Sequence, residues 1–128
     1  MTHALSVKVY YEDTDMGGVV YYANYLKFIE RARSEIVEEL GVDQNAMKAD
    51  GLVFVVTRVV ADYLAPARLG DVLSVKTDHR ATSPLRWVFD QCVWCGDKCL
   101  FKAEVTAVCM TVAGRPVRLP AELRARLA

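Results

Sequence analysis

Net charge is what this chain lacks most plainly: sixteen Lys and Arg balance sixteen Asp and Glu over 128 residues. With no basic excess there is nothing to draw the chain to a phosphate backbone, so nucleic acid is not an expected partner. Histidine is scarce, only His3 and His79, and neither falls within the acidic motif described below. A Ser-His-Asp triad therefore has no signature here. No run approaches the ~18 apolar residues of a membrane helix, so no integral membrane segment is expected. The first residues, MTHALSVKVYY, show no basic stretch followed by an apolar one. The expectation is a chain without a secretory signal, with the cytoplasm as its default location. Repeats, low-complexity segments and linkers are also missing, which leaves one domain over 1–128. The four cysteines would then be reduced. Cys92, Cys95 and Cys99 have neither a nearby histidine nor a second Cys-x-x-Cys. In a strand, Cys92 and Cys95 would point to opposite faces. The cysteines are expected as buried or half-buried free thiols, with no metal.

What is present in excess is apolar side chain, at 53%. That surplus suggests apolar surface buried between copies of the chain. Leu5 to Tyr11 alternates as a strand. From about Tyr22 to Leu40, apolar positions recur at helical spacing, and Gly41 ends the helix. A short irregular or helical piece runs to Gly51. LVFVVTRVVADYLAP is nearly continuous in apolar character up to Pro66, which predicts a strand covered on both faces in the middle of a sheet. VLSVKTDHRA, LRWVFDQCVWC and KCLFKAEVTAVCMTV read as further strands, the last two joined by a Gly-Asp hairpin turn. The predicted order is a strand, a long helix, four strands in a meander, and a short tail helix from Pro120. This is an α+β layer: a long helix on a five-stranded, mostly antiparallel sheet.

Between the first strand and the helix lies YYEDTDMGGVVYYANY, Tyr10 to Tyr25. Three carboxylates, Glu12, Asp13 and Asp15, precede a Gly-Gly pair. Acids before a helix are favoured by its macrodipole whatever their function. The glycines permit unusual backbone angles and close approach to a ligand. The aromatics that follow are poor capping chemistry but suitable walls for a pocket. A helix N-terminus offers unpaired N–H groups that can hold an oxyanion. A carboxylate beside such a site suffices for hydrolysis without metal or serine.

The run YYEDTDMGGVVYYANYLKFIERAR resembles the signature of the hotdog-fold acyl-CoA thioesterases. It is most similar to the YbgC-like, Tol-Pal-associated branch, related to the 4-hydroxybenzoyl-CoA thioesterases. FVVTRVVADYLAPARLGDVL resembles the same family's next strand and turn. The resemblance implies a hydrolase that splits an acyl-CoA thioester into free acid and coenzyme A. It implies Asp15 as the catalytic carboxylate and Tyr22 as the residue whose backbone N–H faces the thioester oxygen. Gly18, Val19, Asn24 and Tyr25 match the rest of the motif as substrate-binding positions. Many YbgC-like relatives carry His where this chain has Tyr22, whereas the hydroxybenzoyl branch has Tyr. The backbone donor survives either residue; an imidazole role does not. Subunits in this family pair their sheets edge to edge, so a dimer is expected, and a homotetramer built from two dimers. No cofactor is implied.

Arg58, Arg80 and Arg86 are the candidate partners for coenzyme A phosphates, against the plainer reading of surface charges. Glu30 is on the polar stripe of the helix, so it is the weaker alternative to Asp15 as catalytic acid. Arg31 and Arg33 are expected in ion pairs on the helix surface. Tyr22, Tyr25 and Phe54 suggest a bulky, partly aromatic pocket lining. Two other readings stand beside the thioesterase. A dehydratase or hydratase of the same fold would need a histidine with the acid. A non-catalytic module would bind acyl-CoA or an acyl carrier protein.

Overall fold

The computed structural model describes residues 2–127. It contains β1 (His3–Lys8), α1 (Asn24–Glu39), α2 (Gln44–Ala49), β2 (Leu52–Tyr63), β3 (Val72–Ala81), β4 (Arg86–Cys95), β5 (Lys98–Thr111), the two-residue β6 (Pro116–Val117) and α3 (Ala121–Leu127). The sheet order is β1-β3-β4-β5-β2, with β6 on β5, and every pairing is antiparallel. A helix lying on one face of such a sheet is the hotdog layout expected from the resemblance.

The stripe on α1 decides how it packs. Tyr25, Phe28, Ile29, Ala32, Ile36 and Val37 are buried, all at helical spacing along one face. Burying each large side chain contributes about 1.5–3 kcal/mol. They meet the inward row of the sheet, which includes Val75, Trp87, Phe89, Val93, Phe101, Val105 and Cys109. Gly41, at φ 77°, ends the helix in the left-handed region that favours glycine. α2 starts on Asp43, whose side chain accepts from the Ala46 N–H at 3.0 Å.

One predicted element is misplaced by the sequence. β2 is not central: it is an edge strand, paired only with β5 among the described residues. It therefore departs from a simple meander by lying beyond β5 rather than beside β3. Val56, Val59 and Val60 are 42–44% exposed. A continuous apolar run arises wherever both faces avoid water, and a second copy of the chain does this as well as a neighbouring strand within one chain. The register also shifts between Val56 and Arg58, a bulge that twists the edge.

The four cysteines are free thiols, with Cys109 buried and Cys92, Cys95 and Cys99 half-buried. His3 is no frayed terminal residue: it pairs with Thr77 in β1–β3, and its Nε2 lies 3.0 Å from Glu35 and 3.7 Å from Glu39. These three groups could converge on a cation. Metal on Nε2 would require the proton on Nδ1, and Nδ1 is buried without an acceptor. A neutral imidazole donating Nε2–H to Glu35 leaves no buried N–H unsatisfied.

Candidate active site

The acidic junction folds into a tight loop before α1. Tyr11–Asp13 forms one 3₁₀ turn, and the Tyr10 N–H donates to Asp13 Oδ2 at 2.8 Å. Thr14 then bridges to Val20, and the Asp15 N–H donates to the Val19 carbonyl at 2.9 Å, closing a small hairpin. Gly18 sits at φ 75°, so the turn demands a residue without a Cβ penalty. The Gly17 N–H donates to Asp15 Oδ1 at 2.9 Å. That bond fixes the carboxylate over its own turn, while the side chain remains exposed.

The hairpin is fastened to the helix at one atom. The Asp13 carbonyl accepts from the Tyr21 N–H and from the Asn24 side-chain amide, both at 2.9 Å. Asn24 is therefore a structural tie. The Tyr21 carbonyl in turn accepts the Asn24 N–H at 2.8 Å. Ala23 occupies the N-cap position and supplies no side-chain cap. Among the described residues, the N–H groups of Tyr22 and Ala23 donate to no protein acceptor. A helix start with free N–H groups is where negative charge is best accommodated.

A groove of 340 Å³ lies beside this mouth, lined by Val20, Tyr22, Tyr25, Tyr63, Leu64, Ala65 and Pro66. Tyr25 is buried and stacks on Phe101, and its hydroxyl oxygen accepts from the Ala67 N–H at 3.1 Å. Burial pushes the Tyr25 phenol above its ordinary value, as it does that of Tyr63. Both stay protonated at neutral pH. The Tyr63 hydroxyl donates to the Tyr22 carbonyl at 2.9 Å. Sequence reasoning missed Tyr63. In the alternating pattern of β2 it is one more apolar position, and only its pairing opposite Phe101 brings it to the helix start. The Leu100 carbonyl holds the next residues by accepting from the Leu64 and Ala65 N–H groups at 2.9 and 3.1 Å.

Tyr22 and Tyr25 thus come together in one groove, with Asp15, Gly18 and Val19 on the attached hairpin. The other candidates do not join them within one chain. Phe54 lies nine residues from Tyr63 along β2, or roughly 30 Å at strand rise. It lines a separate hollow of 120 Å³ with Ser34, Val37, Trp87 and Phe89. Gln91 reaches α1, so odd-numbered residues of β4 face the helix and Arg86 faces away. Arg58 and Arg80 share that outer face through the registers Arg58↔Thr106 and Arg80↔Val88. Arg80 is ion-paired with Asp90 and lies 3.8 Å from Glu104. Glu30 is bound to Arg33 at 2.7 Å and to Ser34 at 2.7 Å. Arg33 makes that ion pair as expected but is half-buried and also donates inward to Gln91. Arg31 instead lies over the Phe28 ring, 5.7 Å from its centroid.

Comparison with known proteins places the chain in a family. A family model described as the thioesterase-like superfamily matches residues 9–127. An acyl-CoA thioester hydrolase, YbgC, of Escherichia coli is 43% identical over 105 residues, 81% of this chain and 78% of that protein. The acyl-CoA thioesterase YbgC of Haemophilus influenzae is 40% identical over 121 residues, covering 93% and 89%. A probable thioesterase from Bartonella henselae superimposes with a TM-score of 0.87 at 34% identity, covering 94% of this chain and all of that one. With a family model matched over residues 9–127 and relatives at 40–43% identity over most of its length, the chain belongs to the thioesterase-like superfamily, in its YbgC-like branch.

Proposed function

We propose that this thioester hydrolase acts on acyl-CoA, using the Asp15 carboxylate and the N–H groups at the start of α1. The observation that carries the reading is the pair of hydrogen bonds accepted by the Asp13 carbonyl, which ties the loop bearing Asp15 to an uncapped helix start. The thioester carbonyl oxygen accepts from the free Tyr22 N–H, and negative charge gathers there as the carbonyl carbon becomes tetrahedral. Asp15 either attacks that carbon, forming a mixed anhydride that water then opens, or takes a proton from the attacking water. The thiolate of coenzyme A leaves readily and needs no strong acid. Gly18 and Val19 shape the turn that presents Asp15, and Tyr22 and Tyr25 wall the acyl groove. Arg58 and Arg86, exposed and without ion pairs among the described residues, serve as phosphate partners. Arg80 does so only by releasing Asp90.

The same reading makes the active unit a dimer. The exposed edge of β2 pairs antiparallel with β2 of a second copy, and dimers associate into a tetramer. Full-length antiparallel pairing would bring the Phe54 end of one β2 beside the Tyr63 end of the other. This joins the two hollows that a single chain keeps apart. The envelope association implied by the Tol-Pal resemblance, a cytoplasmic location and delivery of substrate on an acyl carrier protein belong to the same proposal.

Release of free coenzyme A from short, long and aromatic acyl-CoA esters, followed with a thiol-reactive dye, tests the reading. Hydrolysis that disappears in Asp15→Asn is the expected result. Undiminished turnover in that variant excludes Asp15. Acyl-CoA binding without release from the unaltered protein would instead favour a binding module.

A further inference from the structure

The peptide unit joining Tyr22 to Ala23 is held from one side only. Its carbonyl accepts the Tyr63 hydroxyl at 2.9 Å, and its N–H is free among the described residues. The preceding unit, which carries the Tyr22 N–H, is held by its own carbonyl through the Asn24 N–H at 2.8 Å. A peptide is planar, so gripping its carbonyl fixes the direction of its N–H. The helix start has no side-chain cap to do this. Tyr63 comes from a different element, at the far end of β2, and its ring is locked edge-on to Phe101 and Tyr25 at 4.9 and 5.6 Å. The residue is 48% exposed, so these two ring contacts are what restrict where its hydroxyl points.

We infer that Tyr63 is a positioning residue for this reaction: its hydroxyl fixes the Tyr22–Ala23 peptide and so aligns the Ala23 N–H as a second donor to the thioester oxygen, beside the Tyr22 N–H that the Asn24 bond orients. The inference rests on the reading of the helix start as the oxyanion site. Tyr63 touches neither the reacting carbon nor the nucleophile in this role. It acts by limiting the motion of the donors, which matters because a misplacement of about 1 Å costs up to ~10²-fold in rate.

Tyr63→Phe removes one oxygen and keeps the ring packing. In acyl-CoA hydrolysis the expected result is a kcat lower by roughly tenfold or more with KM within about twofold, because ground-state packing in the groove is unchanged. Thermal melting monitors the fold. A second protein carries a trifluorotyrosine at position 63, whose phenol ionises nearer neutrality and whose phenolate cannot donate. Its kcat is expected to fall on an alkaline limb that begins at lower pH than any limb of the natural protein. Asp15→Asn is measured alongside. Unchanged kcat in Tyr63→Phe, with activity still dependent on Asp15, overturns the role of Tyr63 and leaves the catalytic reading intact. Activity that survives in Asp15→Asn overturns the catalytic reading instead. A kcat loss that merely follows a lowered melting temperature, with no such shifted limb in the fluorinated protein, also rejects the positioning role.

Discussion

Arg33 on α1 reaches across the core boundary and donates to the amide oxygen of Gln91 on β4 at 2.9 Å. Gln91 is fully buried, and its amide nitrogen donates to the Ile29 carbonyl at 2.9 Å and to Thr77 Oγ at 3.0 Å. Burial lowers the pKa of Arg33 against the opposing pull of Glu30, yet a guanidinium stays charged. This network sets where the helix lies along the sheet. Gln91→Leu removes the acceptor and leaves a desolvated guanidinium with Glu30 alone. The expected loss is about 2–4 kcal/mol in urea unfolding, with the slope of the transition unchanged.

Asp15→Asn keeps an oxygen to accept the Gly17 N–H, so the turn should survive. Turnover is expected to fall by more than ~10²-fold while the melting temperature stays within about 2 °C. Steady-state kinetics beside a thermal melt read both quantities.

The two glycines of the turn separate stability from activity. A Cβ on Gly17 would stand 3.2 Å from Asp15 Oδ1, whereas one on Gly18 would meet nothing within 4 Å. Gly18→Ala is therefore costly only through its positive φ, at about 1–2 kcal/mol. Gly17→Ala should displace the carboxylate and depress kcat with a smaller effect on stability. Equal stability losses and equal activity losses in the two variants would contradict this division.

Val59 is 43% exposed on the free edge of β2. Val59→Arg adds a charge to that edge and is expected to give monomers. Light scattering after gel filtration reports the mass. If the groove is completed across the edge, hydrolysis falls in the same variant. A fully active monomer would separate the site from the interface.

His79 accepts the Trp87 indole N–H at 3.2 Å and is held below the ordinary histidine pKa, first by burial. The unfolded chain therefore binds a proton more readily than the folded one. Stability from this residue is complete above the unfolded value of about 6.5 and declines as pH falls through it toward the lower folded value. The melting temperature should drop between pH 7.5 and 5.5, and His79→Gln should flatten that slope.

Much of this was readable in the residues. The helix stripe from Tyr25 to Val37, the stop at Gly41, the Gly96-Asp97 hairpin and the strands from Val72 onward all follow from local periodicity and turn chemistry. So did the resemblance carried by Asp15, Gly18 and Tyr22. Other features were hidden because they depend on residues distant in sequence. His3 became an ordered partner of Glu35 only when β1 paired with β3. For Arg80, a candidate phosphate partner set against a plain surface charge, the choice of partners came only with the sheet, which brought Asp90 and Glu104 beside it from neighbouring strands.

By itself the sequence determined the long helix and the main strands, and which short loop carries Asp15, because those depend on side chains within a few residues of one another. Only the tertiary structure decided that β2 is an edge and that Tyr63 holds the helix mouth. An apolar run has the same pattern whether a strand of its own chain or another molecule covers it. A tyrosine becomes a hydrogen-bond partner only when packing brings its hydroxyl within about 3 Å of a carbonyl 41 residues away.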